Sequence, residues 1–157
     1  DIWCHGDYVE FTDQGGIIVL GRSDATLNVG GIRIGTGEIY GQLESFKEIL
    51  DSVAVEITKG KETSFFLLLK INSAPLEQND ELINRVKKHL AFSLSPRHVP
   101  QTIKIIKDIP YTQSGKKMEL LVKALLNGQT IKNISSLANP DCLAEYDSLA
   151  ASLALAE

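Results

Sequence analysis

Apolar and polar positions alternate in two short stretches near the start of the chain before the pattern becomes helical. Residues 8–11 and 17–20 flank an Asp-Gln-Gly-Gly turn, and residues 26–29 and 32–34 flank a pair of glycines. Alternation with a period of two on both sides of a glycine-rich turn is typical of β-hairpins. The sequence therefore predicts two successive β-ribbons.

From Thr36 onwards the apolar residues recur first at helical and then at strand spacing. We expect a helix with Thr36 as its N-cap, two apolar strands at residues 52–58 and 64–71, and a helix that begins at Asn79 or Asp80. These elements place a sheet between helical segments.

A third strand is predicted at residues 102–106, a helix at residues 117–127, and a last helix whose N-cap is Asn139, followed by Pro140. The order of elements predicts an α+β domain. Its parts are an N-terminal β-ribbon, a small sheet of about three strands packed with helices, and a C-terminal helical extension. Neither a parallel doubly wound sheet nor a barrel fits that order.

Composition narrows the classes of function. The 157 residues are 43% hydrophobic and 23% charged, as in an ordinary globular domain. The net charge is −4, and the sequence lacks the strongly basic face that binding to nucleic acid requires. No apolar run approaches the ~20 residues that span a bilayer. Cys4 and Cys142 have no metal-ligand or redox spacing. We expect a cytoplasmic protein with no metal, nucleic acid or membrane partner, and, since it begins at Asp1, a part of a longer chain.

Three glycine- and charge-rich segments are not required by secondary structure. Asp7 follows a glycine, where its carboxylate can bind a ribose diol or belong to an ordinary turn. Gly30 and Gly31 can let a ligand approach the backbone while Arg33 holds a phosphate, or they can form a tight hairpin with solvated charges. Lys116 follows Ser-Gly in a loop that can enter an active site or stay solvated. None of these segments is a P-loop or a dinucleotide fingerprint.

Together and in this order, the segments resemble the signature motifs of the adenylate-forming superfamily, which includes acyl-CoA synthetases, firefly luciferase and peptide-synthetase adenylation domains. Residues 3–7 resemble the segment whose Asp binds the ribose of ATP, and residues 21–24 with the glycines that follow resemble the hinge and glycine-loop motif. Residues 110–116 resemble the Pro-x-Thr-x-Ser-Gly-Lys segment that ends in the catalytic lysine. The resemblance covers about residues 1–127.

A narrower similarity is to acetoacetyl-CoA synthetases. It is carried by residues 21–28, 95–100 and 109–112, and by the Ala-Asn-Pro-Asp run at residues 138–141 that leads into the tail. This similarity favours acetoacetate as the acid on which the whole enzyme acts.

The resemblance implies an acid–thiol ligase that joins acetoacetate to ATP, releases pyrophosphate, and then passes the acyl group from AMP to CoA. ATP and CoA are small-molecule substrates, and Mg²⁺ belongs to the full enzyme without being bound by this chain. By matching position, the implied site residues are the catalytic Lys116, the ATP- or AMP-binding Asp7, Arg22 and Arg33, the hinge Asp24, and the CoA-binding Gly30 and Gly31.

The resemblance also divides the chain. Residues 1–23 would be the end of a large N-terminal domain, residues 24–128 the C-terminal domain, and residues 129–157 a linker and helical extension. We expect the chain to be inactive without that large domain, its partner in cis. Two alternatives remain: the same domain of a synthetase for another short or medium acid, and a non-catalytic nucleotide- or protein-binding α+β module, for which Lys116 and Gly31 would be dispensable.

Overall fold

The computed structural model describes residues 7–22, 26–60, 62–72, 79–129, 131 and 134–154, and of residues 7, 8 and 20–22 it describes the backbone alone. Within these residues the strands are β1 (Asp7–Phe11), β2 (Ile17–Arg22), β3 (Leu27–Val29), β4 (Ile32–Ile34), β5 (Ile49–Lys59), β6 (Glu62–Ile71) and β7 (Thr102–Ile106). The helices are α1 (Thr36–Leu43), α2 (Asp80–Ser93), α3 (Glu119–Leu126) and α4 (Leu143–Ala154), and short 3₁₀ helices span Pro96–His98 and Pro140–Cys142.

Both predicted ribbons are present. Strands β1 and β2 pair antiparallel, as do β3 and β4. The turn of the second ribbon consists of Gly30 and Gly31, whose φ angles are +58° and +79°. A two-residue turn with positive φ at both central positions matches the right-handed twist of the flanking strands, and glycine adopts it without a steric penalty.

The central sheet has the order β5-β6-β7, with β5 and β6 antiparallel and β6 and β7 parallel. A parallel pair needs a crossover connection, which α2 supplies. The predicted α+β class, with a three-stranded sheet, packed helices and a C-terminal helix, is confirmed.

Side chains of successive strand residues point to opposite faces, so the sheet has a hydrophobic cluster on each face. The first cluster lies between the sheet, the β3–β4 ribbon, α1 and α2, and it includes Leu27, Ile34, Ile39, Ala54, Phe65, Leu67, Val86 and Leu90. The second cluster lies between the sheet, α3 and α4, and it includes Val53, Val55, Phe66, Leu68, Ile106, Val122, Cys142 and Tyr146. The strands are therefore apolar on both faces, which explains their strongly apolar sequences.

Three predicted helix starts are wrong in detail. Thr36 is a buried first residue of α1, and Gly35 occupies the N-cap position. Helix α3 begins at Glu119 because Lys117 forms a β-bridge with Tyr111. Asn139 makes no capping hydrogen bond, and a 3₁₀ turn precedes α4. No helix in the described ranges combines the length and the apolar character that crossing a bilayer requires.

Candidate active site

Lys116 lies in a tight turn between β7 and α3 that its own backbone closes. The Thr112 N–H donates to the Lys116 carbonyl at 2.8 Å, and the Lys116 N–H donates to Thr112 Oγ1 at 3.0 Å. Gly115 has φ +78°, in the left-handed region that favours glycine. The Lys116 side chain is exposed, and its ammonium has no hydrogen-bond or ion-pair partner among the residues that the structure describes. Residues 113–115 form the tip of the turn, and Lys116, which closes it opposite Thr112, carries an exposed positive charge.

Lys117, the next residue, is held against the sheet. Its Nζ donates to Asp51 Oδ1 and to the Ser52 carbonyl, both at 2.8 Å, and lies 3.8 Å from the centroid of the Tyr40 ring. The two adjacent lysines therefore differ in environment: Lys117 anchors the base of the turn, and Lys116 extends into solvent.

Asp51 is the acceptor around which this anchor is built. Tyr111 Oη donates to Asp51 Oδ2 at 2.6 Å, and the Ser52 N–H donates to Oδ1 at 2.7 Å. Burial raises the pKa of Asp51, but the hydrogen bonds from Lys117, Tyr111 and Ser52 outweigh it and hold that pKa below its ordinary value. Burial and the bond to Asp51 raise the pKa of Tyr111. At neutral pH an ionised Asp51 and a protonated Tyr111 therefore serve as structural groups.

The glycine turn borders an open, polar groove. Asn28 and Arg33 are paired on the exposed face of the ribbon, whereas Leu27 and Ile34 are buried on the other face. No atom lies within 4 Å of where a Cβ would stand on either glycine. The groove, of about 500 Å³, is lined by Asn28, Gly30, Gly31, Glu62, Thr63 and Ser64. An extended ligand can therefore pass close to bare backbone.

The Lys116 turn and the glycine ribbon lie at opposite ends of β5. Lys117 binds Asp51 near the start of that strand, whereas the ribbon groove is lined by Glu62, which pairs with Lys59 at its end. At ~3.3 Å per residue, Asp51 and Lys59 are about 26 Å apart. The two elements therefore lie towards different ends of the sheet in this arrangement.

The remaining predicted residues fall in the first hairpin and its surroundings. Asp7 and Arg22 are backbone partners at the open end of β1 and β2. Asp24 lies outside the described residues. The structure thus brings together Asp7 with Arg22, and the two glycines with the strand that carries Arg33. Among the described residues, no group of three His, Cys, Asp or Glu side chains is arranged to hold a metal ion.

Sequence reasoning missed the side chains that cover the edge of β5 facing away from β6. Tyr40 Oη accepts the Ala54 N–H at 3.0 Å, and Tyr40 donates its own proton to Glu119. Asn127 accepts the Thr58 N–H at 2.8 Å and donates to the Glu56 carbonyl at 3.1 Å. Together with Lys117 on the Ser52 carbonyl, these groups satisfy one outward-facing backbone atom on every second residue from Ser52 to Thr58. No local signal marks them, because up to 71 residues separate the partners.

Comparison with known proteins gives a consistent result. No family model matches the chain. The acetoacetyl-coenzyme A synthetase of Rhizobium meliloti is 41% identical over 91% of this chain, and the acetoacetyl-CoA synthetase of Macaca fascicularis is 44% identical over 92% of it. The solved acetoacetyl-CoA synthetase from Streptomyces lividans superimposes with a TM-score of 0.81 at 34% identity, over 96% of this chain and 23% of that one.

The chain spans 22% of the length of each of these two curated relatives. Similarity at this level over nearly the whole chain, in both sequence and fold, confirms the resemblance carried by the motifs. The chain belongs to the acetoacetyl-CoA synthetase family of the adenylate-forming acyl-CoA synthetases.

Proposed function

We propose that this chain is the mobile C-terminal domain of an ATP-dependent synthetase that converts acetoacetate, ATP and CoA into acetoacetyl-CoA, AMP and pyrophosphate. The observation that carries the proposal is the exposed Lys116 that closes a hydrogen-bonded turn, beside a Lys117 that is fully engaged in anchoring that turn. Such a turn can carry an ammonium group into a neighbouring domain's active site without changing its own shape.

In the first half-reaction, an acetoacetate carboxylate oxygen attacks the α-phosphorus of ATP, and the bond to the bridging oxygen of pyrophosphate breaks. Negative charge grows on the oxygens around phosphorus, and the Lys116 ammonium is placed to stabilise it. A preorganised donor of this kind contributes about 3–4 kcal/mol to transition-state stabilisation, which corresponds to a rate factor of about 10²–10³.

The other residues bind the nucleotide and guide CoA. Asp7 accepts hydrogen bonds from the ribose hydroxyls, and Arg22 and Arg33 contact phosphate or nucleotide. The groove beside the glycine turn accommodates the pantetheine arm in the second half-reaction, when the CoA sulfur attacks the acyl carbon and AMP leaves. Mg²⁺ accompanies ATP in the complete enzyme and takes no ligand from this chain.

The two elements lie towards opposite ends of β5, whose residues Asp51 and Lys59 are about 26 Å apart, and this gives the proposed domain motion a physical reason. A hinge at Asp24 would let the domain rotate between half-reactions, withdraw Lys116 and bring the glycine ribbon to the reacting carbonyl. A rigid domain with one functional element at each end of β5 can serve two reactions at one site in turn.

The first hairpin supports a large neighbouring domain as the partner in cis. Its exposed side chains include the apolar Val9, Phe11, Ile17, Ile18 and Val19. An isolated two-stranded ribbon is marginally stable in water, so these strands gain stability by packing against another sheet or domain. We therefore assign residues 1–23 to the end of that domain. The resemblance to the family supports the other assignments: residues 24–128 to the mobile domain, residues 129–157 to its extension, and the enzyme to the cytoplasm.

The test uses the complete enzyme that includes this chain, unchanged and as Lys116→Ala, with acetoacetate, acetate, propionate and butyrate. Acid-dependent pyrophosphate–ATP exchange reports adenylation, and thioester formation from preformed acyl-AMP reports the second step. Exchange should favour acetoacetate and fall about 10²–10³-fold in the variant, while thioester formation persists. The matched control is Lys104→Ala. Lys104 is also an exposed lysine, but it lies on β7 and not in the turn, so this change should leave both steps unaffected.

Each contrary result overturns a definite part of the proposal. Exchange that the Lys116→Ala change leaves intact would mean that this lysine does not act in adenylation. Loss of exchange together with a preference for another acid would keep the mechanism and replace the substrate. If adenylation and thioester formation by the complete enzyme both survive Lys116→Ala and also Gly31→Ala, this chain would be a non-catalytic binding module.

A further inference from the structure

The described part of the C-terminal extension, residues 134–154, is in direct contact with the segment that leads into the Lys116 turn. Asn139 Oδ1 accepts the Tyr111 N–H at 3.0 Å, and its Nδ2 donates to Asp108 Oδ2 at 2.7 Å and to the Ile109 carbonyl at 2.8 Å. One amide side chain thus holds three of the four residues 108–111 of that segment.

Backbone pairing continues this contact towards the turn. The Ala138 N–H donates to the Tyr111 carbonyl at 2.8 Å, and the Gln113 N–H donates to the Ser136 carbonyl at 3.0 Å. Thr112 forms a β-bridge with Leu137, whose carbonyl also accepts Gln113 Nε2 at 3.1 Å. The extension therefore adds a short antiparallel strand to residues 111–113.

The extension is itself fixed to the core and can act as a rigid support. Tyr146 is fully buried in the second cluster, and its Oη donates to the Asp108 carbonyl at 3.0 Å. Glu145 accepts the Lys107 N–H at 2.9 Å. Movement of the segment that leads into the Lys116 turn would therefore disturb a packed helix as well as the hydrogen bonds.

We propose that Asn139, and through it the C-terminal extension, is a positioning residue for Lys116. The extension holds the side of the turn that precedes Lys116, and the anchor formed by Lys117 holds the side that follows it. Lys116, between these two supports, presents its ammonium group to solvent. The catalytic consequence rests on the proposed function of Lys116, whereas the positioning itself does not.

Asn127 provides a matched control for a substitution at Asn139. It also makes three side-chain hydrogen bonds, to the Thr58 N–H and to the Glu56 and Lys123 carbonyls. Its partners lie on β5 and α3, away from the turn. Asn139→Ala and Asn127→Ala therefore remove the same group and the same number of hydrogen bonds, and they differ in what those bonds hold.

In the complete enzyme, Asn139→Ala should lower pyrophosphate–ATP exchange with acetoacetate about 10²-fold, because a displacement near 1 Å at a reacting group has an effect of that order. Thioester formation from preformed acyl-AMP, which does not use Lys116, should stay within about twofold. Asn127→Ala should leave both steps within about twofold. Equal losses in both steps, or equal losses in both variants, would mean that Asn139 acts through stability alone and would overturn the proposal.

Amide hydrogen exchange in this chain tests the positioning without reference to catalysis. In Asn139→Ala, exchange should accelerate at residues 111–117 and stay unchanged in β5 and β6, whereas Asn127→Ala should accelerate exchange at Thr58 and leave the turn protected. If Lys116→Ala does not affect catalysis, the proposed function fails and this measurement still decides the role of Asn139. Unchanged protection of the turn in Asn139→Ala would overturn it.

Gln113→Ala is a second variant should Asn139→Ala fail to fold. It removes one hydrogen bond, to the Leu137 carbonyl, from an exposed position. We expect pyrophosphate–ATP exchange with acetoacetate to fall by a smaller factor, about three- to tenfold, and thioester formation from preformed acyl-AMP to stay unchanged. A Gln113→Ala enzyme with unaltered adenylation, or with both steps reduced equally, would count against positioning by the extension.

Discussion

The two adjacent lysines give the sharpest test of the local structure, because the same substitution should strongly lower the free energy of unfolding at Lys117 and hardly change it at Lys116. Lys117→Met removes a half-buried ion pair with Asp51, in which the side chains of Lys117 and Asp51 are 24% and 28% exposed. It also removes a hydrogen bond to the Ser52 carbonyl and a contact with the face of the Tyr40 ring. Lys116→Met removes an exposed side chain.

The magnitude for Lys117→Met follows from these contacts. The charge-assisted hydrogen bond to Asp51 contributes about 1.5–2 kcal/mol because the pair is half-buried. The hydrogen bond to the Ser52 carbonyl contributes about 1 kcal/mol, and the contact of the ammonium with the Tyr40 ring about 0.5–1 kcal/mol. Methionine keeps most of the packing of the lysine stem, so we expect a loss of about 3 kcal/mol in the free energy of unfolding. Lys116→Met should change that free energy by less than ~0.5 kcal/mol.

Urea unfolding of this chain, followed by circular dichroism, measures both values. In thermal unfolding, a loss of about 3 kcal/mol corresponds to a decrease in Tm of roughly 6–12 °C for a protein of this size. A double-mutant cycle with Asp51→Asn should give a coupling of about 1–2 kcal/mol. The reasoning would be refuted by a difference of less than ~1 kcal/mol between the lysine variants, or by no coupling with Asp51.

Two further predictions concern acid and the glycine turn. Asp51→Asn should lower stability at neutral pH by an amount that shrinks as the pH falls below about 4. The pKa of Asp51 is depressed in the folded state, so its contribution is fully present above the unfolded pKa of ~3.9 and is lost as the pH falls through the folded pKa. Urea unfolding against pH measures this, and a constant difference would contradict it. Gly31→Ala should destabilise by about 1–2 kcal/mol because φ is +79°, whereas Gly41→Ala within α1 should stabilise by up to ~1 kcal/mol. Thermal unfolding should give opposite signs.

Features governed by neighbouring residues could be predicted from the sequence. Strand β7 was predicted with its observed bounds, and both ribbons were predicted around their turns, because alternation and turn glycines act over a few residues. The sheet of three strands followed from apolar runs that are buried on both faces. The family could be identified from the motifs, because their order along the chain is characteristic of that family.

Features governed by distant partners could not be predicted. Asn139 has the sequence signature of an N-cap, yet its side chain binds residues 108–111 instead of the following helix. No feature of the neighbouring sequence predicts that Lys117 is anchored while Lys116 is exposed, since the anchor is Asp51, 66 residues away. The roles of the site residues remain predictions, and Asp24 lies outside the described residues.

The covered edge of β5 also limits how this domain can meet a neighbour. Proteins often recognise an extended segment by adding it to a sheet edge, where unpaired backbone groups bind it strongly. Here one outward-facing backbone group on each of Ser52, Ala54, Glu56 and Thr58 is already bound by a side chain of the same domain. A strand from another domain would have to displace several bonds to dock there. At this edge the domain therefore resists β-augmentation, which would suit a part that, under the proposed function, separates from its neighbour and returns in every turnover.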